Sequence, residues 1–236
     1  MLEIRNLAFS YGRAPVLRDV SFVVSPGEVV GVVGGNGVGK TTLVRILATL
    51  AVPDSGLVLA DGDNAFERPM RYRRQLGYMP ETPALYDDMT VKEYLAYRAS
   101  LKGEPSKRVR RRISEAAEMC QIDGLMRSPI ARLSFGQRKR VAFADAILLR
   151  PRVLLLDDFL AGLDTAMRDA AGTVLSEAAA FSSVIVTGHE IAELARCVTR
   201  FLVLRDGVIS TTIAAAGVAP AELEARVRAA LAGGVS

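Results

Sequence analysis

The residues of this chain with the clearest chemistry lie in a glycine-rich segment, residues 34–42, which reads GGNGVGKTT. Gly34, Gly39, Lys40 and Thr41 fit the spacing G-x-x-x-x-G-K-[ST], in which backbone N–H groups curl around phosphate oxygens. In such a loop the lysine reaches the β and γ phosphates and the hydroxyl can bind Mg²⁺. The segment therefore predicts a nucleotide site. The alternative interpretation is a glycine-rich turn that happens to precede a helix.

Two consecutive acids follow an apolar stretch much later in the chain. Residues 152–156 (RVLLL) have the composition of a buried strand, and Asp157 and Asp158 stand at its end. A phosphate-binding loop needs a carboxylate to hold its metal and a second group to orient or deprotonate the attacking water. We expect Asp157 to take the first role and Asp158 the second. The alternative is a pair of strand-end acids that cap a helix.

The elements that position these residues alternate between strands and helices. Strands are predicted at residues 2–8, 16–24, 28–33, 57–60, 152–156, 183–187, 201–204 and 208–211. A helix-compatible segment, residues 43–50, follows the phosphate loop, and the N–H groups and dipole at its start favour an anion. This alternation predicts an α/β protein.

The segment from residue 81 to residue 149 has the pattern of helices instead. Thr90 with Glu93, and Ser134 with Gln137, have the spacing of capping boxes, each of which starts a helix. Another helix is predicted over residues 106–120, after Pro105. A last helix is expected to begin at Pro220 and to end at Gly233, with one apolar stripe formed by Leu223, Val227 and Leu231.

Composition sets the wider class. The chain has 236 residues, half of them hydrophobic, and a formal net charge of +4, which raises the question of an anionic partner. The basic excess lies in residues 71–74 (RYRR) and 107–112 (KRVRRR), which we interpret as solvated helix faces. No apolar run approaches the ~18 residues that cross a bilayer, and no signal-peptide pattern is present, so we predict a cytosolic chain. Cys120 and Cys197 have no metal or redox spacing.

Taken in order, these residues resemble the ATP-binding subunits of ABC transporters over residues 11–207. In that family an aromatic residue ahead of the phosphate loop stacks on adenine, and here Tyr11 stands in that place. Further along the chain the family's motifs match Glu81 after GYMP, residues 133–137 (LSFGQ), residues 161–164 (AGLD) and His189. The chain contains one histidine in all, and it falls at this last position.

The resemblance implies a P-loop NTPase core, a mixed sheet with flanking helices, beside an N-terminal antiparallel β subdomain and an inserted helical subdomain. The core would comprise residues 1–80 and 150–213, the helical signature subdomain residues 81–149, and a tail helix residues 214–236. Asp158, His189 and Glu81 would be catalytic, and Thr41, Asp157 and Glu81 would bind Mg²⁺. ATP would be contacted by Tyr11, Val16, Gly34, Gly35, Asn36, Gly37, Val38, Gly39, Lys40, Thr41, Thr42, Ser134, Phe135, Gly136, Gln137 and Asp164.

The same resemblance implies partners. Two ATP-binding subunits, identical or related, would close head to tail around two ATP molecules, because Ser134 lies in a different subdomain from Lys40. A separate integral membrane permease would bind the helical subdomain, which would place the chain on the cytoplasmic face of the membrane. The sequence around Glu81 and residues 85–90 (LYDDMT) resembles that of exporter ATPases, so we expect export. No nucleic acid partner is expected.

Departures from the family pattern predict slow hydrolysis. Glu81 replaces a usual glutamine, Phe135 replaces a glycine, and Phe159 replaces a proline. Asp158 stands where the family has a glutamate, so its carboxylate is withdrawn by about one C–C bond, roughly 1.5 Å. Two alternatives remain at this point: a soluble ABC ATPase that acts on nucleic acid or ribosomes, and a regulatory ATP-binding subunit with low turnover.

Overall fold

The computed structural model of the protein describes residues 1–233, with the backbone alone at residue 166. Within these residues the strands are β1 (Leu2–Tyr11), β2 (Ala14–Val24), β3 (Val29–Val33), β4 (Ser55–Ala60), β5 (Asp63–Asn64), β6 (Leu76–Met79), β7 (Val153–Leu156), β8 (Ser183–Thr187), β9 (Arg200–Arg205) and β10 (Val208–Ala214). The helices are α1 (Lys40–Leu47), α2 (Pro69–Arg74), α3 (Val91–Leu101), α4 (Ser106–Met119), α5 (Phe135–Ile147), α6 (Thr165–Ala179), α7 (Ile191–Leu194) and α8 (Pro220–Ala232).

The strands form two sheets. One is a four-stranded antiparallel sheet in the order β2-β1-β4-β5, and the other is a six-stranded sheet in the order β10-β9-β3-β8-β7-β6. Within the second sheet β9, β3, β8, β7 and β6 run parallel, and β10 pairs antiparallel with β9. The strands β3, β7 and β8 are buried along their whole length, as expected for parallel strands covered on both faces.

Two hydrophobic clusters lie on the two faces of the six-stranded sheet. One joins the antiparallel sheet and α1 to the face that Val30, Val32 and Leu155 present. The other joins α3, α4, α5, α6 and α8 to the opposite face, so the inserted helices pack directly on the sheet. The predicted fold class, an α/β P-loop core with an antiparallel β subdomain and inserted helices, is confirmed. The division at residues 81–149 stays a prediction.

Some predicted boundaries were wrong. The helix after the phosphate loop begins three residues before Leu43, at Lys40, and ends at Leu47. It does not continue to Leu50 because Thr49 takes a left-handed conformation, with φ of 56°. Four elements were not predicted at all, the short strands β5 and β6 and the helices α6 and α7.

The last helix, α8, packs on the core. The helix α8 begins at Pro220 and ends before Gly233, and Leu223 and Val227 are fully buried against the larger cluster. The last three residues of the predicted tail, 234–236, lie outside the described residues. Across residues 1–233, no helix combines the length and the apolar character that crossing a membrane requires.

Candidate nucleotide-binding site

One edge of the six-stranded sheet gathers the predicted site residues. The phosphate loop follows β3, Glu81 follows β6, the two acids follow β7, and His189 follows β8. Because these strands are parallel, their carboxyl ends meet at the same edge, where α/β proteins bind their ligands. The backbone N–H of Asp157 donates to the carbonyl oxygen of Met79 at 2.9 Å, which holds the ends of β7 and β6 side by side.

The phosphate loop leads directly into α1. Gly39 is the residue before the helix and has φ of 110°, a conformation that a side chain would strain. The buried ammonium of Lys40 donates to the carbonyl oxygens of Gly34 at 2.9 Å and Gly35 at 3.0 Å. Burial lowers the pKa of Lys40, and the carboxylates of Asp158, Asp157 and Glu81 oppose this shift. The loop therefore surrounds a cation that faces three acids.

Asp157 lies beneath the loop and is 2% exposed. Its Oδ1 accepts a hydrogen bond from the hydroxyl of Thr187 at 2.7 Å and a longer one from the hydroxyl of Thr41 at 3.4 Å. Its Oδ2 is buried and has no hydrogen-bond partner among the described residues. A buried carboxylate oxygen without a donor is costly, whereas a hard cation would satisfy it. Asp157 and Thr41 therefore fit Mg²⁺.

Asp158 is half-buried beside Asp157 and has a left-handed backbone, with φ of 48°. Its N–H donates to the hydroxyl oxygen of Thr187 at 2.9 Å, and its Oδ1 is buried without a partner among the described residues. Burial raises the pKa of Asp158, Lys139 lowers it, and Glu190 raises it. Asp158 thus places a half-buried carboxylate next to Asp157, the place where a group that orients water is needed.

A cavity of about 500 Å³ opens above the loop. It is lined by Tyr11, Val16, Asn36, Gly37, Gly39, Lys40, Thr41, Thr42, Glu81 and His189. Gly34 and Gly35 turn their carbonyl groups to Lys40, and Val38 packs on the core. Tyr11 is 51% exposed and is held edge-on by Phe9, with ring centroids 4.9 Å apart, so one face of the tyrosine ring remains available for stacking.

The predicted signature residues lie at a separate place, the start of α5. Ser134 caps this helix: its hydroxyl accepts from the N–H of Gln137 at 3.3 Å, and Gln137 Oε1 accepts from the N–H of Ser134 at 2.9 Å. Ser134 is exposed and Phe135 is 54% exposed, so the helix tip faces solvent. Gly136 packs near the carbonyl of Gly162. None of these residues lines the cavity described above.

Asp164 also lies away from the cavity. Its carboxylate accepts from the N–H of Met167 at 3.0 Å and so caps α6, and it pairs with the guanidinium of Arg140. The sequence therefore predicted two groups of residues, and within one chain the structure keeps them apart. No group of three or more His, Cys, Asp or Glu residues within residues 1–233 is arranged to hold a metal.

Two residues of this region were missed from the sequence. Thr187 bridges Asp157 and Asp158 through its hydroxyl, and Lys139 is a fully buried lysine close to Asp158. Thr187 ends a predicted strand just before His189, so its position at the shared sheet edge was a usable signal. Lys139 had no such signal, because it follows the signature within a helix full of basic residues.

Comparison with known proteins shows which family this chain resembles. The sequence profile of the family described as ABC transporter matches residues 17–161. The sulfate/thiosulfate import ATP-binding protein CysA of Methylococcus capsulatus is 36% identical over 215 residues, which are 88% of this chain and 61% of that protein. The ABC-type transporter ATP-binding protein EcsA of Bacillus subtilis is 30% identical over 89% of this chain and 85% of its own length.

A solved structure is similar to this chain over almost its whole length. The structure described as an ATP-binding subunit of an ABC transporter superposes with a TM-score of 0.86 at 28% identity, and covers 97% of this chain and 99% of its own. The fold and the loop-centred cavity define a P-loop nucleotide-binding protein. The chain belongs to the ABC transporter family, as one of its ATP-binding subunits.

The expected direction of transport gains no support from these relatives. The Methylococcus protein is named as an import protein, and the name of the Bacillus protein gives no direction. The chain spans about 61% of the length of the first of these two proteins. Export therefore remains a prediction from the sequence around Glu81.

Proposed function

We propose that this chain binds Mg·ATP, hydrolyses it within a head-to-tail dimer of ATP-binding subunits, and powers transport through a separate membrane permease. The proposal rests most on Asp157, whose buried Oδ2 lacks a donor among the described residues and whose Oδ1 accepts from Thr41, which lines the cavity together with Lys40. In this arrangement Tyr11 stacks on adenine, and the loop amides with Lys40 bind the β and γ phosphates.

The residues beside the loop are proposed to bind the metal and to orient the attacking water. Thr41 and Asp157 would hold Mg²⁺, and Glu81, which lines the cavity together with Thr41, would offer a further oxygen. When bound, Mg²⁺ neutralises charge on the transferred phosphoryl group. Asp158, a half-buried carboxylate next to Asp157, would orient the attacking water, and His189, which lines the cavity, would contact the γ-phosphate.

Hydrolysis is proposed to be slow. A group that orients water must come within about 2.6–3.2 Å of it, and the aspartate side chain is one methylene shorter than glutamate. The backbone of Asp158 is held by Thr187, so the loop is not free to move the carboxylate forward. A related subunit with a glutamate at this place would complete one active site of a heterodimer.

The dimer supplies the second half of each site. The exposed tip of α5 offers the Ser134 hydroxyl and the first N–H groups of a helix, which favour an anion. Because this tip lies outside the cavity that Lys40 lines, the triphosphate it meets is that of another subunit.

The substitution Ser134→Arg tests the dimer. It removes the cap and places a bulky cation at the contact, so we expect ATP-dependent dimerisation to be lost in analytical ultracentrifugation while the monomer still binds ATP. Thr212→Arg adds the same charge at an exposed position of β10 and should dimerise normally. Dimerisation of the Ser134→Arg protein with ATP would contradict the head-to-tail arrangement.

The permease is proposed to bind an aromatic surface of the inserted helices, formed by Tyr86, Tyr97 and Leu101. These side chains are 44%, 39% and 57% exposed, and the two tyrosine rings pack edge-on with centroids 5.7 Å apart. Exposed apolar side chains that cluster in this way mark interaction sites. Binding there would hold the chain at the cytoplasmic face of the membrane.

Purification from membranes tests this assignment against the nucleic-acid alternative. Copurification with a multispanning membrane protein would support it. Salt-sensitive binding of RNA or DNA would instead favour a soluble ATPase. ATP-driven uptake into inverted membrane vesicles that contain the chain and its permease would support export, and ATP-driven uptake by intact cells would support import.

A further inference from the structure

Lys139 is a buried cation with no part in the mechanism above. It belongs to the second turn of α5 and is 1% exposed. Its ammonium donates to the carbonyl oxygen of Asp158 at 2.7 Å and to that of Ala161 at 2.6 Å. Taking an ammonium group out of water costs several kcal/mol unless hydrogen bonds and opposite charges replace the water. Both of its carbonyl partners belong to residues 158–162, which we name the acid loop.

The acid loop is held from two sides. On one side, Thr187 accepts from the N–H of Asp158 through its hydroxyl at 2.9 Å and from the N–H of Phe159 through its carbonyl at 3.3 Å. On the other side, Lys139 binds the carbonyl groups of Asp158 and Ala161. The left-handed backbone at Asp158 persists only where the surroundings fix it, and these bonds do so.

The acids around Lys139 offset part of the cost of burying its ammonium. Burial lowers the pKa of Lys139, and the acids Asp158, Glu81, Glu190 and Asp157 oppose that shift, Asp158 most strongly. These four carboxylates would repel one another without nearby cations. Lys139 therefore supplies a second positive charge, besides that of Lys40, to the acids Asp157, Asp158 and Glu81.

The tip of α5 contacts the same loop directly. The ring of Phe135 lies over Gly162, so that a Cβ added to Gly162 would fall 2.3 Å from the ring atom Cε1. The same ring centroid is 5.8 Å from Lys139 Nζ, within range of a cation–π contact. Phe135 thus turns towards the acid loop, and α5 and this loop are joined at several points.

We infer that Lys139 is a positioning residue for ATP hydrolysis. It fixes the acid loop, and with it Asp158, against α5. The inference rests on the proposed function for its catalytic consequence but not for the geometry of the loop. Lys139 touches neither nucleotide nor water in this role. Its loss should therefore lower the rate of hydrolysis and leave ATP binding intact.

The test compares Lys139→Met, which removes the charge and the donors at similar size, with Lys139→Arg, which keeps both. We expect Lys139→Met to lower kcat by about tenfold to a hundredfold, as a misplacement of about 1 Å can do. The Kd for ATP, measured with a fluorescent analogue, should change less than about twofold, and Lys139→Arg should recover most of the rate. In hydrogen exchange, the amides of Asp158 and Phe159 should exchange faster in Lys139→Met than in the wild type.

Controls separate this role from a structural one. Lys102→Met removes a lysine whose pKa burial also lowers, within the inserted helices, and should leave kcat unchanged. If Lys139→Met does not fold, Lys139→Gln, which keeps an uncharged NH₂ donor group, should show an intermediate rate. A folded variant with wild-type kcat and unchanged amide exchange would overturn the inference. A wild-type protein that binds but does not hydrolyse ATP would contradict the proposed function alone, because amide exchange would still test Lys139.

Discussion

The phosphate loop and the acid loop each bind a buried lysine ammonium through two backbone carbonyl groups. Lys40 is 8% exposed and binds carbonyls five and six residues away, within its own loop. Lys139 is 1% exposed and binds carbonyls 19 and 22 residues away, across a subdomain boundary predicted from the sequence. For both, burial lowers the pKa, and nearby acids, Asp158 foremost, oppose the shift.

The two lysines differ in which part of the protein must move when their hydrogen bonds to the carbonyl groups break. Lys40 can exchange two local carbonyls for phosphate oxygens without moving another element, because both partners belong to the loop that binds the ligand. Lys139 cannot leave its carbonyls without breaking the hydrogen bonds that join the acid loop to α5. Similar burial and similar bonds therefore serve ligand binding in one region and the positioning of a distant segment in the other.

The largest effect is expected for Lys40→Ala. Removing the cation that contacts the phosphates should lower ATP hydrolysis by about a hundredfold or more, in the range observed when a transition-state donor is removed. ATP binding should weaken as well, unlike in Lys139→Met. Phosphate release and titration with a fluorescent ATP analogue measure the two quantities, and amide exchange at Asp158 should stay as in the wild type. Equal loss of loop protection in both variants would remove the distinction between the lysines.

A moderate effect is expected for Asp158→Glu. The longer side chain reaches further towards the water while Lys139 still holds the backbone carbonyl, so ATP turnover should rise a few-fold. The left-handed conformation tolerates aspartate better than glutamate, so a small loss of stability should accompany the gain. Steady-state phosphate release checks the rate, and a variant no faster than the wild type would refute slow hydrolysis as a consequence of side-chain length.

The smallest effect is expected for Gly162→Ala, for which Gly217→Ala is a matched control. Both glycines have φ of 73°, so each alanine should cost about 1–2 kcal/mol of unfolding free energy through backbone strain. Nothing lies within 4 Å of a Cβ at Gly217, whereas at Gly162 the Cβ must displace Phe135.

Chemical denaturation and ATP turnover together separate the two variants. Both should unfold more easily, but only Gly162→Ala should also turn over ATP more slowly. Only in that variant does α5 lose the contact of Phe135 with the acid loop. Equal turnover in the two variants would show that the Phe135 contact has no influence on hydrolysis.

The sequence predicted best those features whose cause is local. The phosphate loop, the capping boxes at Thr90 and Ser134, and the strand that ends at Asp157 each depend on residues a few positions apart. These short-range patterns allowed the α/β class and the phosphate-loop residues of the cavity to be predicted, whereas Tyr11, Val16, Glu81 and His189 were predicted from the family resemblance.

The features that were missed depend on distant partners. The strand β6 has four residues, and its position at the sheet edge is set by pairing with β7, far along the chain. The left-handed turn at Thr49, which ends α1, left no pattern that the prediction used. Lys139 is the clearest case, since nothing near it in the sequence indicates that its ammonium meets the carbonyls of the acid loop.

The continuous hydrophobic cluster beneath the inserted helices has a thermodynamic consequence. Phe143 of α5 packs against Phe159 of the acid loop, with ring centroids 5.0 Å apart, and the same cluster includes Tyr94 and the strand residues Leu154 and Leu156. The inserted helices thus belong to the same hydrophobic core as β7, the strand that Asp157 follows. Such shared burial makes melting cooperative, so heat that disrupts the helices should also disorder the acids in one calorimetric transition.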